Sequence, residues 1–267
     1  MYYSIRRNRM HIQIRKAIKR TQRLVWIARV CLFYLLGVVL LYSSLGLICL
    51  FVLILRASYK TKYRICLYFS YSFVFAAKVI CGLNYSVEGL EKLPSTPSVL
   101  LSNHQSFWEN VFVQIIIPRH SWVIKKELFD IPLFGWCLKK MDPIAIDRQN
   151  KTSVKDILTK GIKKLNSGLW LVIFPEGTRL KPTQNTKLKP SGIKVAMMAS
   201  VPIVIMVHNA GIFWPKGIWI KRPGTIKVKI AEVIYPEQFA GLDVRTLTDQ
   251  IEEIMVHQKS LLAKTNK

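Results

Sequence analysis

Apolar and polar positions follow two different regimes along this chain, and the change falls near residue 85. Before it, two long apolar stretches dominate, and in the first of them positions 30–55 form 26 consecutive residues without a charge. A helix rising about 1.5 Å per residue needs about 20 such residues to cross the hydrocarbon of a bilayer, so a retained membrane segment is expected there. A second apolar stretch, 65–83, has Lys78 as its only charge and is expected to cross back or to lie in the interface. Arg56, Lys60, Lys62 and Arg64 between the two stretches resist placement on the outer side, so a third path turns the first stretch back near 42–46. An even number of crossings, or a hairpin, follows.

After residue 85 the pattern becomes short apolar runs separated by amphipathic stretches. Runs at 98–101, 121–124, 144–146, 169–174, 202–207 and 225–230 have the length of buried strands, and 107–117, 153–165 and 191–199 read as helices. A last helix at 244–262 repeats Leu247, Ile251, Ile254, Met255, Leu261 and Leu262 near a 3.6 period, with Gln258 breaking the stripe. Such alternation predicts an α/β protein with a mixed, largely parallel sheet covered by helices, carrying an N-terminal membrane-embedded helical segment.

Charge sharpens the division. No Asp or Glu precedes Glu88, whereas 14 Lys and Arg do, nine of them within the first 29 residues. Residues 1–29 therefore read as a basic amphipathic lead-in at the headgroup level, with anionic membrane lipids as its partner. A net charge of +25 also suits nucleic acid, but no nucleic-acid recognition motif accompanies it, so nucleic acid is not expected. The five cysteines form no CxxC pair and the five histidines no metal-binding spacing, so neither a disulfide framework nor a metal site is predicted.

Two segments carry candidate chemistry, each at a strand-to-turn junction where α/β proteins place their sites. In the first, Ser102-Asn103-His104-Gln105-Ser106-Phe107-Trp108-Glu109, the Ser106-x-x-Glu109 spacing forms a capping box at a helix start. On one continuous helix His104 and Glu109 would lie about 140° apart; with His104 on the preceding turn, its ring can fold back onto the carboxylate. Glu109 then either only caps the helix or fixes the imidazole tautomer, so that the other ring nitrogen can take a proton from an alcohol. In the second segment, Phe174-Pro175-Glu176-Gly177-Thr178-Arg179, Gly177 allows close backbone approach and Arg179 offers a planar fork for phosphate oxygens. A surface turn with an Arg–Glu pair has the same composition. His208 stands alone at a strand end and reads as a structural residue.

Together these segments resemble the glycerolipid acyltransferases, and within them the lysophosphatidate (1-acyl-sn-glycerol-3-phosphate) acyltransferases. Lys125-Lys126-Glu127-Leu128, Pro132-x-x-Gly135 and Ile144-x-Ile146-Asp147-Arg148 resemble that family's second block, and Val201-Pro202-Ile203-Val204 its fourth. The resemblance implies the glycerolipid acyltransferase fold, with 1–29 as the basic segment, 30–84 as membrane-anchoring helices or a hairpin, and 85–267 as the catalytic domain. It implies His104 as general base with Glu109 as its orienting carboxylate. Arg179, Glu176, Gly177, Thr178, Arg148, Lys125 and Lys126 are implied at the acceptor, with Glu176 bracing Arg179 or a glycerol hydroxyl. No cofactor is implied beyond an acyl thioester co-substrate, of coenzyme A or acyl carrier protein, and the acceptor is lysophosphatidate, acylated at sn-2 to phosphatidic acid. The location implied is the inner membrane, with the catalytic domain facing the cytoplasm. Another lysophospholipid or lipid hydroxyl is the alternative acceptor, and a basic membrane-tethered binding protein the distant alternative.

Two departures from the family stand out. Glu109 occupies a position most often written Asp, and Lys187-Leu188-Lys189-Pro190-Ser191-Gly192 stands where many members have Phe-Lys-Lys-Gly, leaving open which further Lys meets phosphate. The aromatic and basic run Phe213, Trp214, Lys216, Trp219, Lys221 and Arg222 is expected either on the membrane surface or packed over the sheet edge.

Overall fold

The computed structural model describes residues 2–39, 58–132, 134–147, 153–217 and 222–264, together with the isolated positions 43, 46 and 219. Seven strands form one sheet: β1 (Leu83–Glu88), β2 (Val99–Ser102), β3 (His120–Lys125), β4 (Ile144–Ile146), β5 (Trp170–Ile173), β6 (Ile203–His208) and β7 (Gly224–Ile234). Their order is β1-β7-β6-β2-β5-β3-β4, parallel throughout except for the antiparallel β6–β7 pair. β2, β5 and β6 are apolar nearly end to end because both faces of the sheet are covered.

Pleating divides the core. Leu100, Val172 and Val204 point to one face, where α2 (Tyr59–Cys81), α3 (Trp108–Ile116) and Trp214 pack. Leu101, Leu171 and Ile205 point to the other, under α5 (Ser153–Asn166), α6 (Ser191–Ala199) and α8 (Val244–Lys264). Two short helices, α4 (Phe134–Lys140) and α7 (Pro236–Phe239), complete the set. Each fully buried Leu, Ile or Phe contributes about 1.5–3 kcal/mol, which is why the 3.6-residue stripes of α5 and α8 dictate their seating.

The basic lead-in is helical, α1 (Tyr2–Leu32), and continues into a π-helical turn, Phe33–Val38. Phe33 is buried against Phe73 and Trp214, with Val30 in the same core cluster, so the start of the 30–55 stretch packs on protein; most of the remainder, including 42, 44 and 45 of the expected 42–46 turn, lies outside the described residues. α2 starts at the Ser58 cap and stops at Gly82 in the left-handed region, φ +63°. Arg29 donates from Nε to the carbonyl of Ile80 (2.7 Å), placing a cation at the negative end of α2. Among the described residues, α2 is the one helix long and apolar enough to cross a membrane. Tyr68, Tyr71, Phe75 and Val79 are exposed along it.

The run at 213–222 divides. Phe213 and Trp214 are buried, Trp214 among Phe33, Phe73 and Phe107, with Arg222 lying over the Phe213 ring; the membrane-surface expectation fails for these two aromatics because they belong to the core cluster on one face of the sheet, and neither covers its edge. Trp219 is exposed, and Lys221 lies outside the described residues.

Candidate active site

β2, β5 and β6 lie side by side, and their carboxyl ends bring 103–109, 174–180 and 208–211 into mutual contact. The turn after β2 folds back as the capping pattern requires. Glu109 sits in the first turn of α3 and its Oε1 accepts three hydrogen bonds: from Gln105 N (2.9 Å), Ser106 N (2.8 Å) and His104 Nδ1 (2.8 Å). Ser106 Oγ accepts from Trp108 N at 3.1 Å, one residue earlier than a strict capping box. Capping and orienting the imidazole are thus done by the same oxygen.

Glu109 is fully buried and His104 keeps 13% of its side-chain surface. Burial pushes the Glu109 carboxyl up, but the hydrogen bonds from His104 and Ser106, with the neighbouring imidazoles, outweigh it and hold the group below the usual carboxylate range. An ionised Glu109 accepts a hydrogen bond from Nδ1–H, which fixes the tautomer and leaves the lone pair of Nε2 able to act as a base.

The second segment clamps the backbone of His104. Glu176 Oε2 accepts from His104 N (2.8 Å), and Leu180 N donates to His104 O (2.8 Å). Phe174 stacks on the imidazole at 4.1 Å between centroids, and Trp122 stacks on Phe174. On the β6 side, Asn103 and His208 exchange two hydrogen bonds, and His208 Nε2–H donates to Asn103 O (2.8 Å) while Nδ1 accepts from Ala210 N. That pattern is the neutral imidazole, and burial lowers the pKa of His208 accordingly. His208 is the structural residue its isolation suggested.

A match to the family model described as Acyltransferase covers residues 84–209. The 1-acyl-sn-glycerol-3-phosphate acyltransferase of Pseudomonas aeruginosa is 39% identical over 212 residues, 78% of this chain and 81% of that one. The chloroplastic 1-acyl-sn-glycerol-3-phosphate acyltransferase of Brassica napus is 32% identical over 153 residues, 56% of this chain and 44% of its own. The chain belongs to the acyltransferase family. The crystal structure of a 1-acyl-sn-glycerophosphate acyltransferase from Thermotoga maritima superposes with a TM-score of 0.73 at 22% identity, covering 90% of this chain and 97% of that one, which shows the shared fold.

The other residues expected at the acceptor are placed as follows. Arg179 is half-buried and makes no ion pair among the described residues, so its guanidinium is available to an anion. Gly177 has φ +72°, and a methyl there would meet Lys189 Cε at 2.9 Å and Nζ at 3.1 Å; Lys189 is thereby the lysine beside the Arg179 turn. Thr178 is exposed on the same turn. Lys125 pairs with Glu127 at 2.8 Å on the surface, Lys126 is exposed at the next position, and Arg148 lies outside the described residues.

Glu176 corrects an expectation. Both its oxygens accept from protein donors, Oε2 from His104 N and Oε1 from Lys259 Nζ (2.8 Å), and no Glu176–Arg179 ion pair forms among the described residues, so it braces the histidine turn rather than Arg179. Lys259 has no motif around it; the one signal was its place on the buried stripe of α8, where the period calls for an apolar residue. Among the described residues no three His, Cys, Asp or Glu side chains converge as a metal site would require.

Proposed function

We propose that this acyltransferase moves a fatty acyl group from an acyl thioester to the sn-2 hydroxyl of 1-acyl-sn-glycerol 3-phosphate, giving phosphatidic acid. The observation that carries the reading is the clamp on His104: the loop that holds its backbone continues directly into Arg179. A phosphate bound at Arg179 and Lys189 is therefore registered against the base, which is the positioning that acyl transfer to a phosphate-bearing alcohol needs.

His104 Nε2 removes the hydroxyl proton as the oxygen attacks the thioester carbonyl. The new C–O bond forms, the C–S bond breaks, and the imidazolium returns its proton to the departing thiolate. Glu109 stabilises the imidazolium meanwhile. No acyl-enzyme and no cofactor enter this scheme; the donor is the thioester of coenzyme A or acyl carrier protein. Lys126, exposed beside the Lys125–Glu127 pair, adds positive potential for an anionic acceptor.

The relatives' similarity and the exposed apolar stripe of α2 support a membrane location. We place the enzyme on the inner membrane, with α1 and α2 in contact with anionic lipid and the catalytic domain in the cytoplasm. The unopposed basic charge before Glu88 favours that side.

The test is acyl transfer by the purified protein to lysophosphatidate from each donor. His104→Ala should abolish turnover with the circular dichroism spectrum unchanged, and Arg179→Ala should raise the KM for lysophosphatidate at constant donor KM. Turnover retained by folded His104→Ala would refute the assignment.

A further inference from the structure

The C-terminal helix α8 buries Leu247, Ile251, Met255 and Leu262 on one stripe, and Lys259 occupies that stripe with 6% of its surface exposed. A lysine there needs every donor satisfied. Its ammonium has three acceptors: Glu176 Oε1 at 2.8 Å, Gln184 O at 3.1 Å and Asn185 Oδ1 at 3.1 Å. One of these belongs to the turn that holds His104 N, and the other two to the loop joining Arg179 to Lys189. The same helix reaches that loop again two turns earlier, where Glu252 Oε2 accepts from Leu188 N (3.0 Å) and Glu252 Oε1 pairs with Lys187.

We propose that Lys259 is a positioning residue for acyl transfer, which holds the Glu176 carboxylate against the backbone of His104 and ties the 184–185 turn to the same point. The ion pair spans 83 residues of sequence and lies wholly inside the protein. Without the ammonium, a buried Glu176 carboxylate has no countercharge; it relieves this by swinging to water or taking up a proton, and either releases the base or weakens its anchor. The effect on the acceptor rests on Arg179 and Lys189 binding phosphate, as proposed above; the effect on His104 does not.

The experiment compares Lys259→Met, Glu176→Gln/Lys259→Met and Asn185→Ala in the full-length enzyme. Lys259→Met should lower kcat about tenfold or more in protein that remains folded, the rate equivalent of one charge-assisted hydrogen bond. The double variant keeps an amide oxygen for His104 N and no charge to bury, so its kcat should recover to within about threefold of the parent. Asn185→Ala removes one surface acceptor and should raise the acceptor KM about threefold at unchanged donor KM. The nitrogen-15 spectrum of the His104 ring gives a readout independent of substrate: its Nδ1 proton, hydrogen-bonded to Glu109, should be sharp and downfield in the parent and broadened in Lys259→Met. A folded Lys259→Met with only a lowered melting temperature, normal kcat and an unchanged His104 resonance would overturn the proposal. If Lys259→Met does not fold, Asn185→Ala with unchanged acceptor KM overturns it. Failure of the parent to acylate lysophosphatidate counts against the acceptor reading alone, since the resonance still decides the role of Lys259.

Discussion

Glu109→Asp is the most informative single change in this protein. The carboxylate reaches three donors from a helix whose start is pinned by Ser106 and by packing of Trp108 and Phe112. Removing one methylene withdraws the oxygen by about 1.5 Å. A 2.8 Å contact then stretches past 3.5 Å for at least one donor, which ends that hydrogen bond. The two backbone N–H groups are nearest the helix and keep their acceptor, so the imidazole loses its partner. One charge-assisted hydrogen bond is worth about 1.5–3 kcal/mol, which predicts a kcat lower by about 10- to 150-fold. Glu109→Gln keeps the length but offers Nδ1–H no anion, and its loss should be larger, up to about 10⁴-fold. Initial rates of thiol release at saturating donor, with thermal unfolding of each variant, check the order Glu above Asp above Gln. Equal kcat for Glu and Asp at equal stability would refute the geometric argument. Because the Glu109 pKa is depressed in the folded protein, its stabilisation is complete above the unfolded value of about 4.3 and is lost as pH falls through the folded value.

Three further outcomes are expected. His120 is buried with Nε2 unpartnered, and burial pushes its pKa down to about 4; the unfolded chain takes up a proton below about 6.5, so about 3 kcal/mol of stability should disappear between those values, and melting temperatures from pH 7 to 4.5 should fall less steeply in His120→Phe. Gly177→Ala places a methyl in the left-handed region and against Lys189, costing about 1–3 kcal/mol and raising the acceptor KM, which substrate titration and thermal melts would show. Tyr68→Glu with Phe75→Glu puts charge on the exposed stripe of α2 and should weaken sedimentation with vesicles of anionic lipid while leaving the fold intact; undiminished sedimentation would remove α2 from the membrane contact.

The strands at the centre of the sheet were legible because β2, β5 and β6 are short apolar runs bounded by turn residues, and burial on both faces leaves no other reading. β1 was not expected, since Asn84, Tyr85 and Ser86 leave it without an apolar run, and α2 was read as a membrane stretch, since an apolar helix packed on a sheet and one bathed in lipid share a composition. Phe213 and Trp214 show the same ambiguity: aromatic residues beside basic ones suit a headgroup layer or packing on the sheet equally, and only the contact with Phe33 and Phe73 decides. His104 and Glu109 lie five residues apart, so local turn chemistry was enough to join them. The partners of Glu176 lie 72 and 83 residues away, at His104 and Lys259, and no local pattern reports a contact of that range.

With His104 as the base and Arg179 at the phosphate, as proposed, the hold of the 174–180 loop on both the N–H and the carbonyl of His104 makes acceptor choice and chemical power heritable only as a unit. A loop exchanged from a relative to change which headgroup is taken would carry new supports for the proton-accepting ring, and would shift the base along with the phosphate. Engineering of specificity in this enzyme is therefore better begun at Thr178, which is exposed at the tip of that turn and makes neither of the two bonds to His104.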